Sequence, residues 1–235
     1  MRIAVLIALL LFTEMVFSEE IKVLSGGAAK SFIDPLAASF AAHRVKIEYQ
    51  PMGRLTKSLA DGAAVDMVVV TSEVAEQLKL RGTPIARVGI GVAVNEKAPS
   101  PDISTPEAFK RTLLAAKSVV YIDPKTGTSG KHVFEIIKKL NIENEMQPKT
   151  HLGQGGYVTE PVGRGEIELG IHQISEILPV KGVKLAGPLP PELQKYTVYV
   201  AVNLKLKPSV AEFIAFLAGP QAKARLAQAG YTSPE

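Results

Sequence analysis

From Glu19 to the C-terminus, short apolar runs alternate with helical stretches, and this alternation limits the fold more than any other feature. "IKVLS" (21–25) stops at Gly26-Gly27, and the next stretch carries Phe32, Leu36 and Phe40 at helical spacing. "VKIEYQ" reads as a strand, "RLTKSLADG" as a helix ending at Gly62, and "VDMVVVT" as a strand. "SEVAEQLKLRG" reads as a helix with Ser72 at its N-cap and Glu73 in its first turn. "TPEAFKRTLLAAK" opens the same way, with Thr105 as cap and Pro106 in the first helical position. Such βαβα order predicts an α/β protein with mostly parallel sheets covered by helices on both faces.

Two segments break the rhythm. "RVGIGVAVNE" (87–96) and "KYTVYVAVN" (195–203) are long for single strands, and they divide the βα units into an outer and a middle set. Two lobes joined by two extended crossover strands give this pattern, with 19–88 and 200–235 in lobe 1 and 89–199 in lobe 2. A single doubly wound domain gives similar short runs. In the two-lobed arrangement a ligand falls in the cleft, where strand C-termini and helix N-termini meet.

Residues 1–18 stand apart from this pattern: Met1-Arg2 is a short positive start, Ile3 to Phe12 is apolar, and Val16-Phe17-Ser18 suits a cleavage site. That reads as a secretory signal peptide, too short to span a bilayer, with the mature chain beginning near Glu19. No later run is long and apolar enough for a membrane span, so the expected product is a free periplasmic monomer. The absence of cysteine excludes disulfides, thiol nucleophiles and Cys-metal sites. The four histidines lack metal-ligand spacing, so neither a metal nor another cofactor is expected. The net charge of +4 is scattered and only 6% of residues are aromatic, which argues against a nucleic-acid surface and suits a small anion.

"YIDPKTGTSGKHVFEII" (121–137) is the segment most suggestive of a ligand. It passes from strand to Gly/Thr/Ser turn to helix, yet it has neither the spacing of a phosphate loop nor that of a nucleophile elbow. Its Thr126, Thr128, Ser129 and Gly130 either cap and turn the helix or cradle an anion on its free amides. Comparable Gly-rich helix starts at Gly26-Gly27 and Gly155-Gly156 favour the cradle.

Several stretches together resemble the periplasmic molybdate-binding proteins, the ModA-like branch of type II solute-binding proteins. They are "IKVLSGGAAKSF", "LADGAAVDMVVV", "PDISTPEAFKRTLLAAKSVVYIDPKTGTSGKHVFEIIKKLNI", "GRGEIELGI" and "GPLPPELQKYTVYVAVN". The resemblance implies the type II periplasmic-binding-protein fold, a hinged cleft and delivery of a small anion to an ABC permease. It places the site at the Ser25–Ala28 turn, at Gly53 and Arg54, at Ser129 and at Gln173. Ala28 stands where a serine is expected, Met52-Gly53-Arg54 where a serine-rich turn is expected, and Gln173 where a tyrosine is common. An arginine fork matches a planar carboxylate better than a tetrahedral dianion, so the implied ligand shifts toward an organic di- or tricarboxylate. The same branch resembles aconitate isomerase, which keeps catalysis open. For an isomerase the candidate proton carriers are His132, Tyr157 and Glu160. A carboxylate in the cleft would repel an anion unless it served as a base, which makes Glu160 the residue that separates receptor from enzyme.

Overall fold

A computed structural model describes residues 19–234, so the expected signal peptide lies outside the described residues. The chain begins with β1 (Glu20–Gly26), α1 (Lys30–Ser39), β2 (Arg44–Gln50), α2 (Met52–Ala60), β3 (Met67–Thr71), α3 (Ser72–Gln77) and β4 (Thr83–Val88). After the single residue Gly89 come β5 (Ile90–Asn95), α4 (Pro106–Ala115), β6 (Val119–Ile122), α5 (Thr128–Lys139) and α6 (Glu143–Met146). There follow β7 (Thr150–Gly153), α7 (Glu160–Gly163), β8 (Leu169–Gln173), α8 (Ile174–Ile177) and β9 (Val183–Pro188). The chain ends with β10 (Thr197–Asn203), α9 (Pro208–Ala218) and α10 (Pro220–Gln228).

These strands form two five-stranded sheets, ordered β2-β1-β3-β10-β4 and β7-β6-β8-β5-β9, one in each lobe. Helices flank both faces of each. Phe32, Leu36, Phe213 and Leu217 pack on one face of the first sheet, and Leu55 and Ala75 on the other. Phe109, Leu113, Val133 and Ile137 cover one face of the second, with Val158 and Val162 opposite. Burial on both faces explains why β3 is an unbroken apolar run, while edge strand β2 alternates between exposed and half-buried residues.

Each sheet is mixed but mostly parallel, with four strands running one way and one against them. Strands β2, β1 and β3 run parallel, as do β7, β6 and β8, but β10 and β5 lie antiparallel to their neighbours. The cause is the crossing itself. A strand entering from the other lobe starts at the cleft, where the parallel strands end, and must run back along them. Thus Ile90 at the start of β5 pairs with Gln173 at the end of β8, and Tyr199 pairs with Thr71 at the end of β3.

The expected long strand over 87–96 is two strands, changing sheet at Gly89. The second long segment differs too: β10 lies wholly in the first sheet, and Leu189 to Tyr196 makes the return crossing. Thr105 caps α4 as its sequence implies, its side chain accepting from the Ala108 amide. In α3 the cap is Thr71, accepting from the Val74 amide, and Ser72 is the first helical residue. The strand end supplies the extended backbone that a cap needs, which moves the cap back one position.

Asp66, just before β3, is buried and accepts from the Lys22 amide at 3.0 Å, with the Lys205 and Lys207 ammonium groups at 3.0 and 3.2 Å. Desolvation pushes its carboxyl up, but those three donors together outweigh it and hold the group at about 2, below its ordinary 3.8. A carboxylate whose pKa is depressed by folding contributes stability above its unfolded pKa and loses it as pH falls through the folded one. Chemical denaturation should therefore show about 2 kcal/mol of stability disappearing between about pH 4 and pH 2. Asp66→Asn should lose a similar amount at neutral pH and show a flatter acid limb.

Candidate functional site

Between the lobes lies a cleft of about 440 Å³ at the C-terminal ends of the parallel strands. The first lobe lines it with Gly26, Gly27 and Ala28 at the end of β1 and just beyond it, Lys30 and Ser31 at the start of α1, and Tyr49 to Met52 around the β2–α2 junction. The second lobe contributes Thr126 to Ser129 before and within α5, Gln154 to Tyr157 after β7, and His172, Gln173, Ser175 and Glu176 at the β8–α8 junction. No side chain caps the N-termini of α2 and α5, or of the 3-10 turn (Gly27–Ala29) that leads into α1, so the first amides of these helix starts remain available to an anion.

Of the residues expected at the site, Gly26, Gly27, Ala28, Thr126, Thr128, Ser129, Gln173 and Tyr157 line the cleft. Others do not. Ser25 is wholly buried beneath it, its hydroxyl turned to the Gly26 carbonyl. Gly53 and Arg54 are exposed on α2 outside the cleft lining, because Met52 is the α2 residue turned inward. Gly130 is buried and lets α5 sit close on β6: a Cβ there would overlap the Ile122 carbonyl. His132 lies on the hinge side of α5, where its Nε2 is 2.7 Å from the Leu193 carbonyl oxygen. Glu160 opens α7 on the exposed surface, outside the cleft lining. Gln173 is 4% exposed, and its Nε2 donates to Thr197 Oγ1 at 3.0 Å, tying β8 to the start of β10 across the lobes.

Ser129 is not a cap. Gly127 holds that position, and the Ser129 side chain, in the first turn of α5, lies 3.2 Å from Nδ1 of His172. His172 is 2% exposed, and its Nε2 faces Glu176 Oε2 at 2.7 Å and the Gly156 carbonyl at 3.2 Å. With two oxygen acceptors before it, Nε2 carries the proton. In the neutral ring Nδ1 then accepts from the Ser129 hydroxyl. Gly156 can turn its carbonyl this way because its φ of 68° costs a glycine little.

Sequence reading named Ser129 but missed its partners His172 and Glu176, along with two hydroxyls. The hydroxyl oxygens of Ser31 on lobe 1 and Ser175 on lobe 2 are buried beside the Tyr231 hydroxyl, neither making a hydrogen bond of full geometry, and both residues line the cleft. A signal existed for the first group. "HQISE" places His172 and Glu176 four residues apart across a strand end and a helical turn, and β8 buries both His172 and Gln173. Two of the cleft tyrosines, Tyr49 and Tyr199, are held in the protonated form. Burial, then Asp34, raises Tyr49, whose hydroxyl donates to Asp34 Oδ1 at 2.6 Å, and burial raises Tyr199 as well.

Residues 21–232 match the profile of the bacterial extracellular solute-binding proteins. The chain belongs to that family. Its fold is similar to that of a substrate-binding domain assigned to a molybdenum ABC transporter of Clostridium difficile, at TM-score 0.76 and 15% identity over 93% of this chain and all of that one. The Azotobacter vinelandii periplasmic molybdate-binding protein follows at TM-score 0.68 and 16% identity, over 92% of this chain and 100% of that one. A tungstate-binding protein of Desulfovibrio alaskensis matches at 0.67 and 12%, over 92% and 99%. In sequence, an aconitate isomerase from a Pseudomonas species is 33% identical over 138 residues, 59% of this chain. That match covers 51% of the relative, so the chain spans about half the length of the curated relative it matches.

Because Gly130 seats α5 against Ile122, Gly130→Ala should force the helix start outward. We expect a loss of about 1–3 kcal/mol by chemical denaturation, as for other overpacked contacts, with ligand affinity falling alongside.

Proposed function

We propose that this protein clamps a small organic anion bearing two or three carboxylates between its lobes, in the periplasm and as a monomer, and presents the closed form to an ABC permease. The observation that carries the proposal is the cleft, in which three helix starts without side-chain caps and buried hydroxyls from both lobes converge. Ligand carboxylates would replace their hydration with the amides of α1, α2 and α5, the hydroxyls of Ser31 and Ser175, and Lys30. Ala28 and the committed amide of Gln173 do not supply the hydroxyls expected of a tetrahedral-oxyanion cage. A cleft of about 440 Å³ suits a ligand with several separated charges. Arg54, which first suggested a carboxylate, has no part in this arrangement.

A second reading, an isomerase acting on an unsaturated tricarboxylate, is favoured by one specific observation. Glu176, not Glu160, brings a carboxylate to the lining of an anion cleft, where binding alone gives it no use. The 33% identity to an aconitate isomerase points the same way.

Calorimetry with citrate, tricarballylate and both aconitates against molybdate, tungstate and sulfate tests the main reading. Tricarboxylates should bind, Ser175→Ala should weaken them about tenfold, and Arg54→Ala should leave them unchanged. Binding of the inorganic oxyanions alone would refute the reading.

A further inference from the structure

We propose that Glu176 is the catalytic base of the cleft, held in register by a hydrogen-bonded chain that runs from Ser129 through His172. The proposal rests on the isomerase reading above and gives it a mechanism. Glu176 is the only glutamate or aspartate among the described residues that line the cleft. Its side chain is 18% exposed, enough to meet a ligand and too little to be freely solvated.

A receptor for anions gains nothing from such a group. A carboxylate facing bound carboxylates costs affinity, and its removal would be an easy improvement. Pairing with His172 does not resolve this, since the imidazole is already supplied with a backbone acceptor in Gly156 and with Ser129 on its other nitrogen. What the chain does achieve is orientation. Nε2–H anchors one carboxylate oxygen of Glu176 at 2.7 Å, the Ser129 hydroxyl holds the tautomer that keeps that proton on Nε2, and the second oxygen is left for the ligand.

That oxygen can carry one proton between two carbons. In an aconitate the methylene hydrogens are acidic, being next to a carboxylate and to a conjugated double bond. Glu176 takes one of them. The C–H bond breaks, and its electron pair spreads over the three-carbon allyl unit and its carboxylate. Helix-start amides and Lys30 face that developing charge. The protonated Glu176 then gives the proton to the former vinyl carbon, the double bond moves one position, and the carboxylate is regenerated. Atoms and charge balance without oxidant, reductant or cofactor. Ser129 and His172 act through Glu176 and are positioning residues.

The test uses the mature protein with trans-aconitate, following conversion to the cis isomer by proton NMR and binding by calorimetry. Glu176→Gln keeps the shape of the side chain. It should bind at least as tightly as the wild type, yet lose at least about a hundredfold in kcat. His172→Gln should lower kcat and leave KM within about threefold, as expected for an effect confined to the transition state. If the wild type converts trans-aconitate and Glu176→Gln retains most of that rate, the base is another group and only this assignment falls. If the wild type binds trans-aconitate without converting it or exchanging its methylene hydrogens with deuterated water, the isomerase reading itself falls and takes the assignment with it.

Discussion

The cleft depends on the two crossings between lobes lying side by side, and one side chain joins them. Gln194, on the return crossing, accepts from the Ile90 amide at 2.8 Å and donates to the Ile90 carbonyl at 2.9 Å, at the residue where β5 begins. Leu189 adds a backbone bond to the same carbonyl at 3.0 Å. Two strands leaving one lobe at separated points would fix the lobes rigidly or let them splay. Two adjacent segments tied at Ile90 form a hinge axis, along which φ and ψ changes at a few positions are enough to open and close the cleft. The direction of β5 and β10 follows from the same arrangement, as does the position of the cleft at the ends of the parallel strands.

With the lobes hinged there, complementary halves of the site face one another. The first lobe supplies the glycine-rich turn after β1, the start of α1 and the Ser31 hydroxyl. The second supplies the start of α5, the Ser175 hydroxyl and the Ser129–His172–Glu176 chain. Helix-start amides, hydroxyls and Lys30 surround the space for a ligand, and among the described residues no lysine or arginine forms an ion pair with Glu176. Sequence reading placed the carboxylate that would separate receptor from enzyme at Glu160, whereas the acid that lines the cleft is Glu176.

Much of this was legible in the chain. The apolar run of β3, the helical spacing of Phe32 and Leu36 and the Thr105-Pro106 start of α4 are local patterns, set by burial and capping within a few residues. The two long extended segments marked the crossings, although Gly89 splits the first and the second crosses before its strand begins. The differences in placement share a physical cause. Arg54 was placed by likeness to a turn in other proteins, and likeness along the chain does not tell which side of a short helix faces inward. His132 sits one turn from Ser129, yet the Leu193 carbonyl, 61 residues away, draws it to the hinge.

By itself, then, the sequence determined what neighbouring residues can decide: an α/β chain, two crossings, and glycine-rich helix starts suited to an anion. Tertiary structure alone decided which hydroxyls and which acid came to line the cleft. Ser31 and Ser175 are 144 residues apart, and Ser129 and His172 are 43 apart. Their meeting is fixed by the pairing of β6 with β8 and by the hinge at Ile90, interactions whose free energy belongs to the assembled sheets and appears in no local pattern.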